Sequence, residues 1–193
     1  MATPARIGLR PLEDRDRERL RTWRNSPDVA AFMYNDHPIS SGEHARWFDA
    51  ARTDERRFYR LILVGETPAG LFNFYDIDPA HKSAKWAFYL ADPVARGAGV
   101  GTVIEHFALH YAFETLGLNR LSCEVLASNA PVVAMHQAFG FVQEGVLRQA
   151  IRKAGVLEDV VILAALRDDW PHIAKAAKER LAAKGLQPAH LLA

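Results

Sequence analysis

The spacing of apolar residues changes character along the chain, and each change marks an element. From Glu13 to Arg24 charges of both signs are dense while Leu20 and Trp23 stand three apart, which predicts a surface helix with a narrow apolar contact. Ser26-Pro27-Asp28 reads as an N-cap, a first-turn proline and an early acid, opening a short helix through Phe32 and Met33. Ser40 and Glu43 have capping-box spacing ahead of Trp47 and Phe48, so a third helix is expected there. The pattern then turns to strands. Arg57 to Val64 and Gly70 to Ile77 are rich in aromatic and branched residues around Gly65-Glu66-Thr67-Pro68, a hairpin signal, and Ala84 to Leu90 is a third strand candidate.

After a glycine-rich turn, Val103, Ile104, Phe107, Ala108, Tyr111 and Ala112 make a helical stripe. Leu121 to Leu126 reads as a strand, Pro131 to Ala138 as a short helix and Phe141 to Leu147 as another strand. The turn Lys153-Ala154-Gly155 precedes a last strand, Asp159 to Leu166. Ile173, Ala177 and Leu181 then recur at helical spacing, predicting a docked or projecting helix from Trp170 to Leu181. This order of elements describes a mixed sheet in an α+β fold. Residues 1–168 are expected to form the domain and 169–193 a C-terminal helical tail.

Composition narrows the function classes. With 49% hydrophobic and 24% charged residues the chain is globular and not disordered. Lys and Arg number 24 against 23 Asp and Glu, a net charge of +1, too weak a field to recruit nucleic acid or an anionic membrane. An anionic ligand must therefore be held by a local constellation. The single cysteine, Cys123, excludes an internal disulfide and a multi-cysteine zinc site, and points to a reducing cytoplasm. No apolar run approaches the ~20 residues of a membrane span, and the opening MATPARIGLR lacks the apolar core of a secretory signal. A cytoplasmic protein without nucleic-acid or membrane partners is expected.

The chemistry starts at Arg96-Gly97-Ala98-Gly99-Val100-Gly101-Thr102, between a strand and a helix. Glycines let the backbone curl with its N–H groups inward, and a helix N-terminus adds partial positive charge, which together make an anion cradle suited to a pyrophosphate. Arg96 adds a charged donor. A plain flexible connection is the competing reading, though three alternating glycines after an arginine favour the cradle. Two other phosphate loops are excluded: Gly101-Thr102 lacks the lysine of the Walker pattern, and the glycines run G-x-G-x-G where a dinucleotide fingerprint needs G-x-G-x-x-G.

The string R-G-x-G-[IV]-G-[ST] ahead of an amphipathic helix resembles the acyl-CoA pyrophosphate loop of the GNAT acetyltransferases. A second signature follows it: Asn129 to Phe141 (NAPVVAMHQAFGF) resembles that family's N-x-x-[AS]-x-x-[LM]-[YH]-x-x-x-G-F segment. The resemblance spans residues 6 to 168. It implies a GNAT-type, mostly antiparallel mixed sheet with helices on both faces and two splayed central strands, Ala84–Leu90 and Leu121–Leu126. The pantetheine arm of acetyl-CoA would lie in the gap. Cofactor contacts would come from Phe88, Leu90, the Arg96–Thr102 loop and Asn129; Asn129 could also cap its helix.

A narrower resemblance runs through Trp23-Arg24-Asn25, Met33-Tyr34, His37-Pro38-Ile39 and Glu43-His44, which look like the amino-sugar N-acetyltransferases of pseudaminic-acid synthesis. It implies transfer of acetyl from acetyl-CoA to the 4-amino group of a UDP-4-amino-4,6-dideoxy sugar, toward flagellin glycosylation, and leaves room for a homodimer. Arg24, Tyr34, His44 and Tyr75 would bind that substrate. Trp23, Phe32 and Met33 read rather as core contacts of two short helices, while Arg24 and His44, being polar, are harder to assign to packing.

In such a family both substrates bind together and the amine attacks directly, so no enzyme nucleophile is needed. Cys123 shares a strand face with Leu121 and Val125 and reads as core. Glu124, on the opposite face with Ser122, matches a strand glutamate proposed as base; its alternative is a salt bridge to Arg120 or Arg148. His136 stands where many relatives carry the tyrosine that protonates the coenzyme A thiolate, and Tyr89 competes for that role. His106 and His110 stand four apart but lack a third ligand, so no metal is expected. Acetylation of ribosomal-protein N-termini or of polyamines is the second enzymatic reading, and a non-catalytic acyl-CoA-binding domain the third.

Overall fold

The computed structural model describes residues 6–192. Residues 1–5, half of the opening segment read above for a signal, lie outside them. The chain is α+β: eight strands form one mixed sheet in the order β6-β7-β5-β4-β3-β2-β1-β8. The strands are β1 (Ile7–Arg10), β2 (Phe58–Val64), β3 (Thr67–Asp78), β4 (Ser83–Leu90), β5 (Arg120–Leu126), β6 (Val142–Lys153), β7 (Val156–Leu166) and β8 (His190–Leu191). Pairing is antiparallel except at β4–β5 and β1–β8. The helices are α1 (Arg17–Asn25), α2 (Pro27–Ala30), α3 (Ser41–Thr53), α4 (Val100–His110), α5 (Ala130–Ala138) and α6 (Trp170–Ala183).

Strand β2 reads Leu61-Ile62-Leu63-Val64 without polar interruption because both sheet faces are covered. Leu61 and Leu63 join Leu20, Phe48 and Leu71 under α1 and α3. Ile62 and Val64 join Phe72, Phe74, Trp86, Ile104 and Leu121 in the larger core under α4, α5 and α6. The last helix, which the spacing left as docked or projecting, is docked: Trp170, Ile173, Ala177 and Leu181 are buried. Gly140, at φ +89, is the price of that contact, since a Cβ there would stand 2.5 Å from Ile173 Cγ1.

The central feature is a fork. Strands β4 and β5 pair only from Ser83, Ala84 and Lys85 to Arg120, Leu121 and Ser122. Beyond that, β4 stays with β3 as far as Leu90 opposite Gly70, while β5 stays with β7 as far as Leu126 opposite Val160. Each strand keeps its outer partner, so the inner edges part without unravelling the sheet.

Several boundaries differ from the pattern reading. Strand β1, four residues long, and the two-residue β8 carry too little sequence to announce themselves. The first helix begins as a 3-10 turn at Asp14–Asp16, with Asp16 buried against Arg10 at 2.6 Å. The short second helix stops at Ala30, and the Ser26 hydroxyl donates backward to the Trp23 carbonyl (2.7 Å) instead of capping. Ser40 does cap α3, accepting from the Glu43 N–H at 3.2 Å. The β2–β3 hairpin turns on Gly65-Glu66, leaving Thr67 and Pro68 in the strand. The β6–β7 hairpin is far longer than read, running to a turn at Ala154 and Gly155, both with positive φ.

Candidate active site

At the end of β4 a 3-10 turn (Pro93–Ala95) leads into the glycine loop. Gly97 and Gly99 take φ of +73 and +70, and Gly99 is the N-cap of α4. Gly99 is required twice over, by its left-handed conformation and because a Cβ would meet Leu186 Cδ1 at 2.5 Å. The loop opens on a cleft of about 590 Å³, lined by Ala95, Gly97–Thr102, Met135, Lys184 and Leu186. An anionic cofactor fits this cradle, since the helix start, the glycine backbone and one ammonium group converge on it. The ammonium is unexpected. Arg96 is 74% exposed and reaches Asp28 at 3.0 Å, whereas Lys184 stands with Nζ 3.0 Å from Thr102 Oγ1. Asn129 precedes α5 but makes no capping bond with its side chain.

Where the fork opens, β5 alternates. Cys123 is buried with the core, where burial pushes its thiol up, and Glu124 faces the α1–α3 side. Neither Arg120 nor Arg148 pairs with Glu124: Arg120 grips Glu144 at 2.6 Å. Glu124 instead accepts from Lys85 Nζ at 2.9 Å and from the Tyr34 hydroxyl at 3.1 Å. Tyr75 stands nearby, and burial followed by the Glu124 charge pushes both phenols up. A cavity of about 450 Å³ adjoins them, lined by Arg56, Lys85 and Arg120, by Asp76, Asp78 and Glu124, and by Ser122 and Cys123 of the same strand.

A second group lies on the same face. Arg24 is largely buried beside Tyr89; its Nη2 donates to Asn35 Oδ1 at 2.8 Å, while its buried Nη1 has no partner. Burial pulls the guanidinium down. The Tyr89 hydroxyl is buried without a partner, and burial raises it. His44 sits against Trp47 and Phe48, held down by burial, its Nε2 unpartnered.

His136 lies on the other face of the sheet. It packs against Trp86 and Phe141, 4% exposed, with Nδ1 2.6 Å from Glu105 Oε1 of α4. So the two candidates for the leaving-group proton, His136 and Tyr89, stand on opposite faces, and Phe88 and Leu90 project to the His136 side with the larger core. His106 and His110 stack on each other and lie tilted against Trp170. Among the described residues no group of three His, Cys, Asp or Glu could hold a metal, and no described helix is long and apolar enough to cross a membrane.

Lys85, Glu105 and Lys184 were not legible as site residues. Glu105 alone left a trace, as the one acid within a buried helical run from Val100 to Leu109.

A forked mixed sheet with a glycine-led helix start beside the fork defines an acyl-CoA-dependent acyltransferase architecture. The acetyltransferase (GNAT) domain family matches residues 6–142, and the chain belongs to it: it is an acetyl-CoA-dependent N-acetyltransferase. Acetyltransferase PseH of Campylobacter jejuni subsp. jejuni serotype O:23/36 (strain 81-176) is 30% identical over 126 residues, 65% of this chain and 76% of its own. Spermidine N(1)-acetyltransferase of Vibrio cholerae is 26% identical over 158 residues, 81% and 90% of the two chains. The solved structure of spermidine N-acetyltransferase from Vibrio cholerae with CoA and spermine shares the fold at a TM-score of 0.79 and 22% identity, over 86% of this chain and 98% of that one.

Proposed function

We propose that the acceptor is the 4-amino group of a UDP-4-amino-4,6-dideoxy sugar, acetylated in pseudaminic acid biosynthesis on the way to flagellin glycosylation. The observation that carries this reading is Arg24: a guanidinium that is largely buried, with one nitrogen unpartnered and no carboxylate paired to it among the described residues. A buried cation without a counter-ion is costly. A diphosphate would supply the missing charge with the forked geometry a guanidinium matches. Tyr34, His44, Tyr75 and Tyr89 line the same face and would cover sugar and base.

The chemistry follows from the fork. Acetyl-CoA enters between β4 and β5, with its pyrophosphate at the Gly97–Thr102 cradle beside Lys184, and the acceptor amine approaches from the α1–α3 side. As the amine nitrogen bonds to the acetyl carbon, Glu124 takes the proton the nitrogen sheds, with Lys85 and Tyr34 fixing the carboxylate's position. The carbon–sulfur bond breaks, and His136 gives its proton to the thiolate from the opposite side. Base and acid on opposite faces suit a reaction whose two substrates arrive from opposite faces.

Polyamine acetylation is the competing reading, favoured by the Vibrio relative and by Asp76, Asp78 and Glu124 around one cavity. Arg56, Lys85 and Arg120 line that cavity too, so it offers a polycation no net negative field. The deciding experiment supplies acetyl-CoA with the UDP-4-amino sugar, with spermidine and with a ribosomal-protein N-terminal peptide, and reads the added acetyl group by mass spectrometry. Turnover of the sugar at least a hundredfold above the others is expected; preference for spermidine or peptide overturns the sugar reading.

The reading includes a homodimer. Val142, Val146, Leu147, Val156 and Leu157 are exposed along the β6–β7 arm, an apolar strip that a second copy would cover. Light scattering is expected to give twice the chain mass, and a single-chain mass at high protein concentration overturns it.

A further inference from the structure

Glu105 and His136 form an ionisable pair where the fold would ordinarily place apolar side chains. Glu105 lies on the inward face of α4, 0% exposed, flanked by Ile104 and Ala108 of the same core. Neither of its oxygens has a protein partner other than His136 Nδ1, 2.6 Å from Oε1. The contact is an ion-pair approach and falls outside hydrogen-bond geometry. A carboxylate so deep, with so little hydrogen bonding, is a poor structural device, because an apolar residue of similar volume would pack there without desolvation cost. Its orientation toward one imidazole nitrogen is what remains to explain it.

We infer that Glu105 is the positioning residue of a carboxylate–imidazole dyad that holds His136 with Nδ1 inward and Nε2 free to serve the leaving thiolate. The inference rests on the proposed role of His136 as general acid. Three features support it. Nδ1 faces Oε1 of Glu105 at 2.6 Å, whereas Nε2 faces no carboxylate among the described residues. Met135, the preceding residue on α5, lines the cofactor cleft, so this stretch of the helix borders the cofactor's path. Trp86 edge-on at 5.2 Å and Phe141 at 5.4 Å wall the ring on its remaining sides, leaving it one orientation.

The proton balance closes within the pair. One proton is shared between Glu105 and Nδ1, another sits on Nε2. When the carbon–sulfur bond breaks, Nε2 gives its proton to the sulfur, and the shared proton settles on Nδ1 beside an ionised Glu105. The pair thus ends with one proton fewer and recovers it from solvent between turnovers. Burial raises the Glu105 carboxyl and His136 opposes that rise, which suits a shared proton. The remaining titratable group facing the pair is Cys123 of β5, whose thiol burial keeps neutral; Trp86 of β4 and Phe141 are uncharged.

The test compares Glu105→Gln and Glu105→Asp with the parent full-length chain. A carboxylate favours the protonated imidazole, so its loss frees that proton at lower pH. Glu105→Gln is expected to lower kcat at least tenfold, leave KM for acetyl-CoA within twofold, and move the basic limb of the kcat profile down by at least half a pH unit. The His136 ring resonance, followed by NMR without substrate, should titrate lower by the same amount. Glu105→Asp, which keeps the charge, should show a smaller displacement and serves as the measurement if the glutamine variant does not fold. A purely structural Glu105 would lower the melting temperature and scale kcat equally at all pH; an unmoved basic limb and unmoved His136 titration overturn the dyad. His136→Ala separates the two claims. If it is inactive while Glu105→Gln is fully active, the dyad falls and the general acid stands; if it is fully active, the general acid falls first.

Discussion

Single side chains carry the sharpest consequences, because three of them hold charge or polarity where the fold gives little in return. Glu124 is fixed by Lys85 and Tyr34 at the mouth of the fork. Replacing it with Gln keeps the side chain's shape, leaves one oxygen to accept from Lys85 or Tyr34, and removes the base, so kcat should fall by roughly 10²–10⁴-fold with little change in acetyl-CoA affinity, measured by steady-state kinetics. Arg24→Ala should raise KM for the nucleotide sugar by about 10–100-fold, the range for a charge-assisted hydrogen bond, while leaving acetyl-CoA binding alone. His106 makes a prediction about stability. Burial, then the neighbouring His110, lowers its pKa to about 4, below the unfolded value of about 6.5. Between those values the unfolded chain binds the extra proton. The contribution is therefore complete above about pH 6.5 and is lost as pH falls toward 4. Urea unfolding across that window should show the loss, and His106→Phe should flatten it.

At the scale of elements, what the sequence disclosed and what it withheld have separate physical causes. The β2, β3, β4, β5 and β7 strands were legible because each is a local apolar run, and α4 because its stripe sits beside glycines of restricted use. The cradle was legible for the same reason. Its cation was not: Lys184 lies 82 residues from Thr102 in the chain, and only the docking of α6 brings them together. Arg96, adjacent in sequence, was the obvious donor and is instead engaged by Asp28. The same holds for Lys85 and Glu124, whose meeting depends on the β4–β5 register. Capping was read with mixed success: Ser40, with Glu43 three residues on, caps α3, whereas Ser26 also ends α1, and its hydroxyl donates back to the Trp23 carbonyl three residues earlier. Lys184→Ala should weaken acetyl-CoA by roughly three- to tenfold in calorimetry. The effect should shrink in high salt, as expected for an exposed ammonium.

For the molecule as a whole, the near-zero net charge now has a structural counterpart. Positive groups are spent singly, Lys184 at the cradle and Arg24 on the opposite face, so that two anionic ligands could be held without a basic surface. The fork adds something different. Along Trp86–Leu90 and Cys123–Leu126 the inner edges of two long strands face each other across a space too wide for them to pair, which leaves the sheet one strand short. A ligand with amides along its length would complete it, much as an added peptide strand completes an open edge. Saturating acetyl-CoA, at about 100 times Kd, should then add about 2.7 kcal/mol and raise Tm by roughly 5–10 °C, read by scanning fluorimetry. The same gap makes the ligand-free molecule a target for any other extended chain, its own copies included. Cofactor supply would then act as a folding safeguard as well as a source of acetyl groups.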